Sequence, residues 1–141
     1  WKTEILKYLT VSNSLKVKQK MANQKAGEYA FLVGVAVAVL AGVAWWAKAL
    51  DVTAAGWVST LLVVLGIVVG VLNIKDKESQ PFLVAAIALV VAGTASFAAL
   101  NTAVANVGTL LDAVVKNLAV LVAPAAVITA VKATWSLASG K

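Results

Sequence analysis

Polar and apolar positions come in blocks along this chain rather than interleaved. Tyr29 to Ala47 reads YAFLVGVAVAVLAGVAWWA, nineteen residues without a charge. At 1.5 Å per residue a helix of that length crosses a hydrocarbon layer of about 30 Å. Lys48, Asp51 and Thr53 interrupt the block, and a second uncharged run extends from Ala54 to Ile74. The charged stretch KDKES (75–79) separates it from a third run, Pro81 to Leu100. There the proline suits a first helical turn, and Ser79 or Gln80 reads as the cap. The fourth run opens at Thr109 to Asp112 (TLLD), which resembles a capping box, and its helical pattern continues through Leu137. Asp112 and Lys116 share one face opposite Leu110, Leu111, Val114, Val115 and Leu118, so its first two turns read as interfacial. Pro124, inside the dry part, is expected to kink the helix, which membrane helices tolerate when neighbours satisfy the freed carbonyl.

The pattern predicts an all-α fold: four hydrophobic, transmembrane-type helices in a bundle (29–141), with spans at about 29–47, 54–74, 81–100 and 117–137. Before it, residues 1–28 form a basic amphipathic segment. Ile5, Tyr8, Leu9 and Leu15 alternate there with Lys2, Lys7, Lys16, Lys18 and Lys20, which suggests a helix lying on a surface. A solvated leader that packs on a neighbour is the other reading. Met21 opens MANQKAGE and reads as a start; residues 1–20 are then either part of a longer frame or a mature end left by processing.

Composition agrees with the blocks. The 141 residues are 62% hydrophobic and 13% charged, against nearer half and a quarter in ordinary soluble domains. A domain of this length buries about 70% of its unfolded surface, so the excess must face lipid or neighbouring subunits. With no Cys and no His, disulfide, thiolate and haem chemistry and most zinc or copper sites are excluded. Every basic residue is Lys, so bidentate guanidinium recognition is excluded too. No metal and no cofactor is expected.

The lysines also indicate orientation. Four spans put both termini on one side, where Lys2, Lys7, Lys16, Lys18, Lys20, Lys25, Lys75, Lys77, Lys132 and Lys141 collect. Only Lys48 and Lys116 lie on the other, so the positive-inside rule places both termini in the cytoplasm. Trp45, Trp46, Trp57 and Trp135 read as interfacial anchors, with Lys132 snorkelling beside the last.

Small residues recur at four-residue spacing in Ala30, Gly34, Ala38 and Gly42, at Gly66 and Gly70, and at Ala88 and Ala92. Such faces let helices approach closely, first within the bundle and then between copies. Glu4, Glu28, Asp51, Asp76, Glu78 and Asp112 all fall in tails, connections or interfacial turns. Proton pumps and ion-coupled carriers keep ionisable groups at depth, and none is found there. Ser59, Thr60, Thr94, Ser96 and Thr129 are read as bonding back to their own helices. Lys48, Asp51, Asp112 and Lys116 could converge on a small polar site, but exposed ion pairs are the simpler account. Paired catalytic carboxylates, an activated serine and a phosphate-binding loop are missing, so an enzyme is not expected.

GEYAFLVGV (27–35), PFLVAAIALVVAG (81–93) and VAPAAVITAVKA (122–133) together resemble a group of small membrane proteins from archaeal genomes that has no assigned activity. A weaker analogy, in composition alone, is to the hydrophobic helical coat proteins of spindle-shaped archaeal viruses. The resemblance implies a lipid-embedded bundle. The expected role is structural: a self-associating homo-oligomer of a membrane, cell envelope or lipid-associated virion shell. Its partners would be lipids and, in a virion, nucleic acid held without sequence preference. The alternative is a small channel or a transporter of a neutral solute, motivated by Pro124, Gly66 and Gly70.

Overall fold

The computed structural model describes residues 1–72 and 74–140, with every side chain among them but that of Asp76. It is all-helical among these residues: α1 (Lys2–Trp46), α2 (Val52–Leu72), α3 (Ser79–Thr94) and α4 (Val107–Ala138), with 3₁₀ turns at Asp76–Glu78 and Ala98–Thr102. Gly34 lies against Leu121 and Gly42 against Val114, so α1 and α4 run antiparallel. Gly66 lies against Leu121 and Gly70 against Ala125, so α2 and α4 run the same way. The result is an up-down-up-down bundle in which α4 touches all three other helices.

The N-terminal segment and the first span are one helix. No proline falls between Lys2 and Trp46, so nothing breaks the hydrogen-bond ladder of α1. Its 45 residues span about 68 Å at 1.5 Å per residue. Burial on α1 begins only at Gly27; apart from half-buried Ser12, residues 1–26 are exposed all round. The amphipathic segment is therefore an arm continuing the axis of the first span rather than a separate helix folded onto a surface. α1 ends in a Schellman turn: the Ala49 N–H donates to the Ala44 carbonyl at 2.8 Å and the Lys48 N–H to that of Trp45 at 3.0 Å. The turn holds Lys48 at φ 58, a left-handed conformation usually given to glycine.

The third span is shorter than the sequence suggests. α3 stops at Thr94, Ala95 is extended, and the remaining residues to Leu100 enter a 3₁₀ turn. Competing polar partners end it: Asp112 Oδ1 accepts the Phe97 N–H at 2.9 Å, and the Ser96 hydroxyl accepts that of Ala98. At sixteen residues α3 covers about 24 Å, less than a hydrocarbon core needs. Three helices, α1, α2 and α4, are long and apolar enough to cross a membrane.

The start of α4 also departs from the expected capping box. It begins at Val107, after Asn106 in the left-handed region at φ 66, a conformation asparagine tolerates. The Thr109 N–H is capped at 3.3 Å by Asn101 Oδ1, and the Asn101 amide donates back to the Thr109 hydroxyl at 3.0 Å. Asp112, assigned to the box from sequence, serves Phe97 instead. At the start of α3, Ser79 is the first helical residue and its hydroxyl donates to the Lys75 carbonyl, while Glu78 occupies the cap position.

Candidate membrane interface

The bundle is inverted relative to a water-soluble one. Its fully buried side chains are few, Leu62, Leu121 and Thr129 the largest, and the rest of the core is mainly glycine and alanine. Large aliphatics face outward instead: Leu32, Leu40, Val64, Ile67, Ile87 and Val127 are all exposed. The small residues of α1 and α2 line the contact with α4. A methyl group on Gly34 or Gly42 would meet Leu121 or Val114 within 3 Å. Gly66 lies on the Leu121 carbonyl and the Pro124 ring, and Gly70 on Ala125 and Ile128. Ala38 is completely buried in the same contact. On α3 the glycine facing α4 is Gly93, opposite Ala119, while Ala88 is exposed and Ala92 half-buried. α4 runs through Pro124 as a single helix, with the proline ring seated on Gly66.

Four of the five tryptophans sit at the bundle ends, and Trp1 tips the arm. Trp45 and Trp46 sit in the last turn of α1, Trp57 near the start of α2 and Trp135 near the end of α4, with Trp57 73% and Trp135 75% exposed. Trp46 is also a fastener: its indole Nε1–H donates to the Asn106 carbonyl at 3.1 Å, tying the end of α1 to the start of α4.

Lys48, Asp51, Asp112 and Lys116 share this end but form no polar site. Asp51 Oδ1 accepts the Ala54 N–H at 2.7 Å as the N-cap of α2, and Asp112 is held by Phe97. The hydroxyls at depth are satisfied locally: Thr60 donates to the Gly56 carbonyl, Thr94 to Val91 and Thr129 to Ala125. Among the described residues no group of His, Cys, Asp or Glu could hold a metal ion.

At the opposite end Lys75 and Lys77 are exposed beside the start of α3, and the arm carries Lys2, Lys7, Lys16, Lys18, Lys20 and Lys25. Lys141 lies outside the described residues. Lys132 does more than snorkel: its ammonium donates to the carbonyls of Gly70 at 3.3 Å and Val71 at 3.2 Å, in the last turn of α2. A cation there pairs with otherwise unsatisfied carbonyls and with the negative end of the helix dipole. No spacing rule could reveal this, because the partners are 61 and 62 residues apart. Lys132→Met should lower the unfolding free energy in detergent micelles by about 1–2 kcal/mol. Titration with denaturant, followed by circular dichroism, measures this; an unchanged midpoint would assign the cap no energetic role.

Comparison with known protein families, characterised proteins and solved structures finds no match.

Proposed function

We propose that this protein is a non-enzymatic structural component of a membrane: the bundle is embedded in a bilayer and displays the basic arm on one side. The observation that carries the reading is the inverted bundle, with glycine and alanine inside and leucine, valine and isoleucine outside. In water that arrangement would leave the strongest apolar surface unpaid by any burial; in lipid it is the usual solution, since close packing replaces the missing hydrophobic drive between helices. The lysine-rich end and the arm then lie in the cytoplasm. Association between copies would use the outer aliphatic faces, because α4 already covers Gly34, Gly42, Gly66 and Gly70. A transport role lacks support, since the deep hydroxyls are turned back onto their own helices.

The chain has no cysteine, so single reporter thiols are clean probes. With Ser14→Cys and Thr53→Cys variants in right-side-out vesicles, an impermeant maleimide should label position 53 and spare position 14. The opposite pattern overturns the orientation. Protein that remains in solution without detergent, rather than floating with the vesicles, overturns the membrane reading. Native mass spectrometry of gently extracted protein reads the copy number.

A further inference from the structure

α1, α2 and α4 pack against one another, whereas α3 leans chiefly on α4. The mismatch leaves a half-open cleft of about 310 Å³, walled by Phe31 of α1, Val69 of α2, Phe82, Ala86 and Leu89 of α3, and Val122 of α4. Buried Ile74 completes the wall, and exposed Glu78 forms the rim where α3 begins. From the membrane reading above we infer that this cleft is a lipid site. It takes one acyl chain of a phospholipid whose headgroup bears a phosphate and a primary ammonium, with that ammonium on the Glu78 carboxylate.

The wall decides the chain. A water needs two to four polar partners to stay in a cavity, and the walls of this one supply aliphatic and phenyl carbon. Left empty, the walls would forfeit dispersion contacts on one side. A flexible hydrocarbon chain entering from the bilayer restores them without any change in α3. The rim decides the headgroup. The Glu78 carboxylate has no hydrogen-bond or ion-pair partner among the described residues, and Lys75 and Lys77 stand exposed beside it. With the Glu78 carboxylate on the rim and the Lys75 and Lys77 ammoniums near it in the chain, both signs of charge are at hand, so the rim suits a headgroup carrying both signs better than a purely anionic one. A primary ammonium can donate a charge-assisted hydrogen bond to Glu78, and a quaternary one cannot.

Reconstituting the full chain in vesicles of equal parts phosphatidylethanolamine, phosphatidylcholine and phosphatidylglycerol, then extracting it gently for native mass spectrometry, tests this. Wild type should retain one lipid, with phosphatidylethanolamine enriched about tenfold over phosphatidylcholine, as one charged hydrogen bond allows. Glu78→Gln, a surface change that leaves the core untouched, should bring the two to parity while one lipid stays bound. Ala85 also lines the cleft, and Ala85→Phe, which adds a ring to that lining, should abolish retention with helicity unchanged. Wild type that retains no lipid, or Ala85→Phe that retains it as well as wild type, overturns the chain site. An ethanolamine preference that survives Glu78→Gln overturns the headgroup assignment. Flotation of the same samples separates the two readings, because a chain that floats yet holds no lipid defeats this inference and leaves the membrane reading standing.

Discussion

Gly66→Ala should cost the bundle about 3 kcal/mol, at the upper end for an overpacked core, although it adds a single methyl group. A Cβ at position 66 would overlap the Leu121 carbonyl and come within 2.6 Å of the Pro124 ring. Neither can yield: the carbonyl belongs to the backbone of α4, and the ring is fixed to it. α2 would therefore have to back away from α4, opening the contact around buried Leu62 and Leu121. In lipid that contact rests on close packing alone, so the separation is not offset by any gain in solvation. Gly56→Ala is the control: nothing lies within 4 Å of its Cβ position, and replacing a helical glycine should stabilise by about 0.5–1 kcal/mol. Steric-trap or denaturant unfolding in bicelles measures both. Equal effects at the two glycines would mean that the α2–α4 contact is looser than the geometry shows.

The contrast between those glycines also marks what a sequence can reveal. Spacing identified Gly66 and Gly70 as a close-packing face, because four-residue periodicity follows from helix geometry alone. It could not say which helix covers that face. Only the fold places α4 there, and with it Gly34 and Gly42. Apolar block length likewise predicted helices over the first and second runs, since nineteen or more uncharged residues leave few alternatives, while the fourth, broken by Asp112, Lys116 and Lys132, was predicted from its helical pattern. The third run failed at its end because Ala95 to Leu100 is as apolar as what precedes it. The helix stops there for the sake of Asp112 and Ser96, the first of which acts from α4. The arm was legible as basic and helical but not as an extension of α1, because periodicity carries no information about where one helix hands over to the next. Lys48 reads as a charge closing a membrane span, whereas its left-handed backbone is a helix terminator normally announced by glycine. Lys132 reads as an interfacial cation, and its bond to α2 requires knowing that α2 and α4 run in the same direction.

The second large effect is expected at Gly108, in the first turn of α4. A Cβ added there would overlap the Phe97 carbonyl and stand 3.0 Å from Asn101 Oδ1. Gly108→Ala would drive the backbone at Phe97 away from α4. Three links depend on that approach: the Asp112 bond to the Phe97 N–H and the two bonds between Asn101 and Thr109. Losing them together should cost about 3 kcal/mol, at roughly 1 kcal/mol for each hydrogen bond. The damage should stay local, since α1 and α2 meet α4 further along at Val114, Leu121 and Ala125. Hydrogen exchange gives the decisive readout. The Phe97 amide should lose its protection in Gly108→Ala, while amides flanking Leu62 and Leu121 exchange as in wild type. Asp112→Asn separates sterics from charge, because it keeps an acceptor at the same place and should weaken Phe97 protection only partly. Protection at Phe97 that survives Gly108→Ala would show that the 3₁₀ turn is held by something other than its seat on α4, and the explanation for the shortened third helix would fall with it.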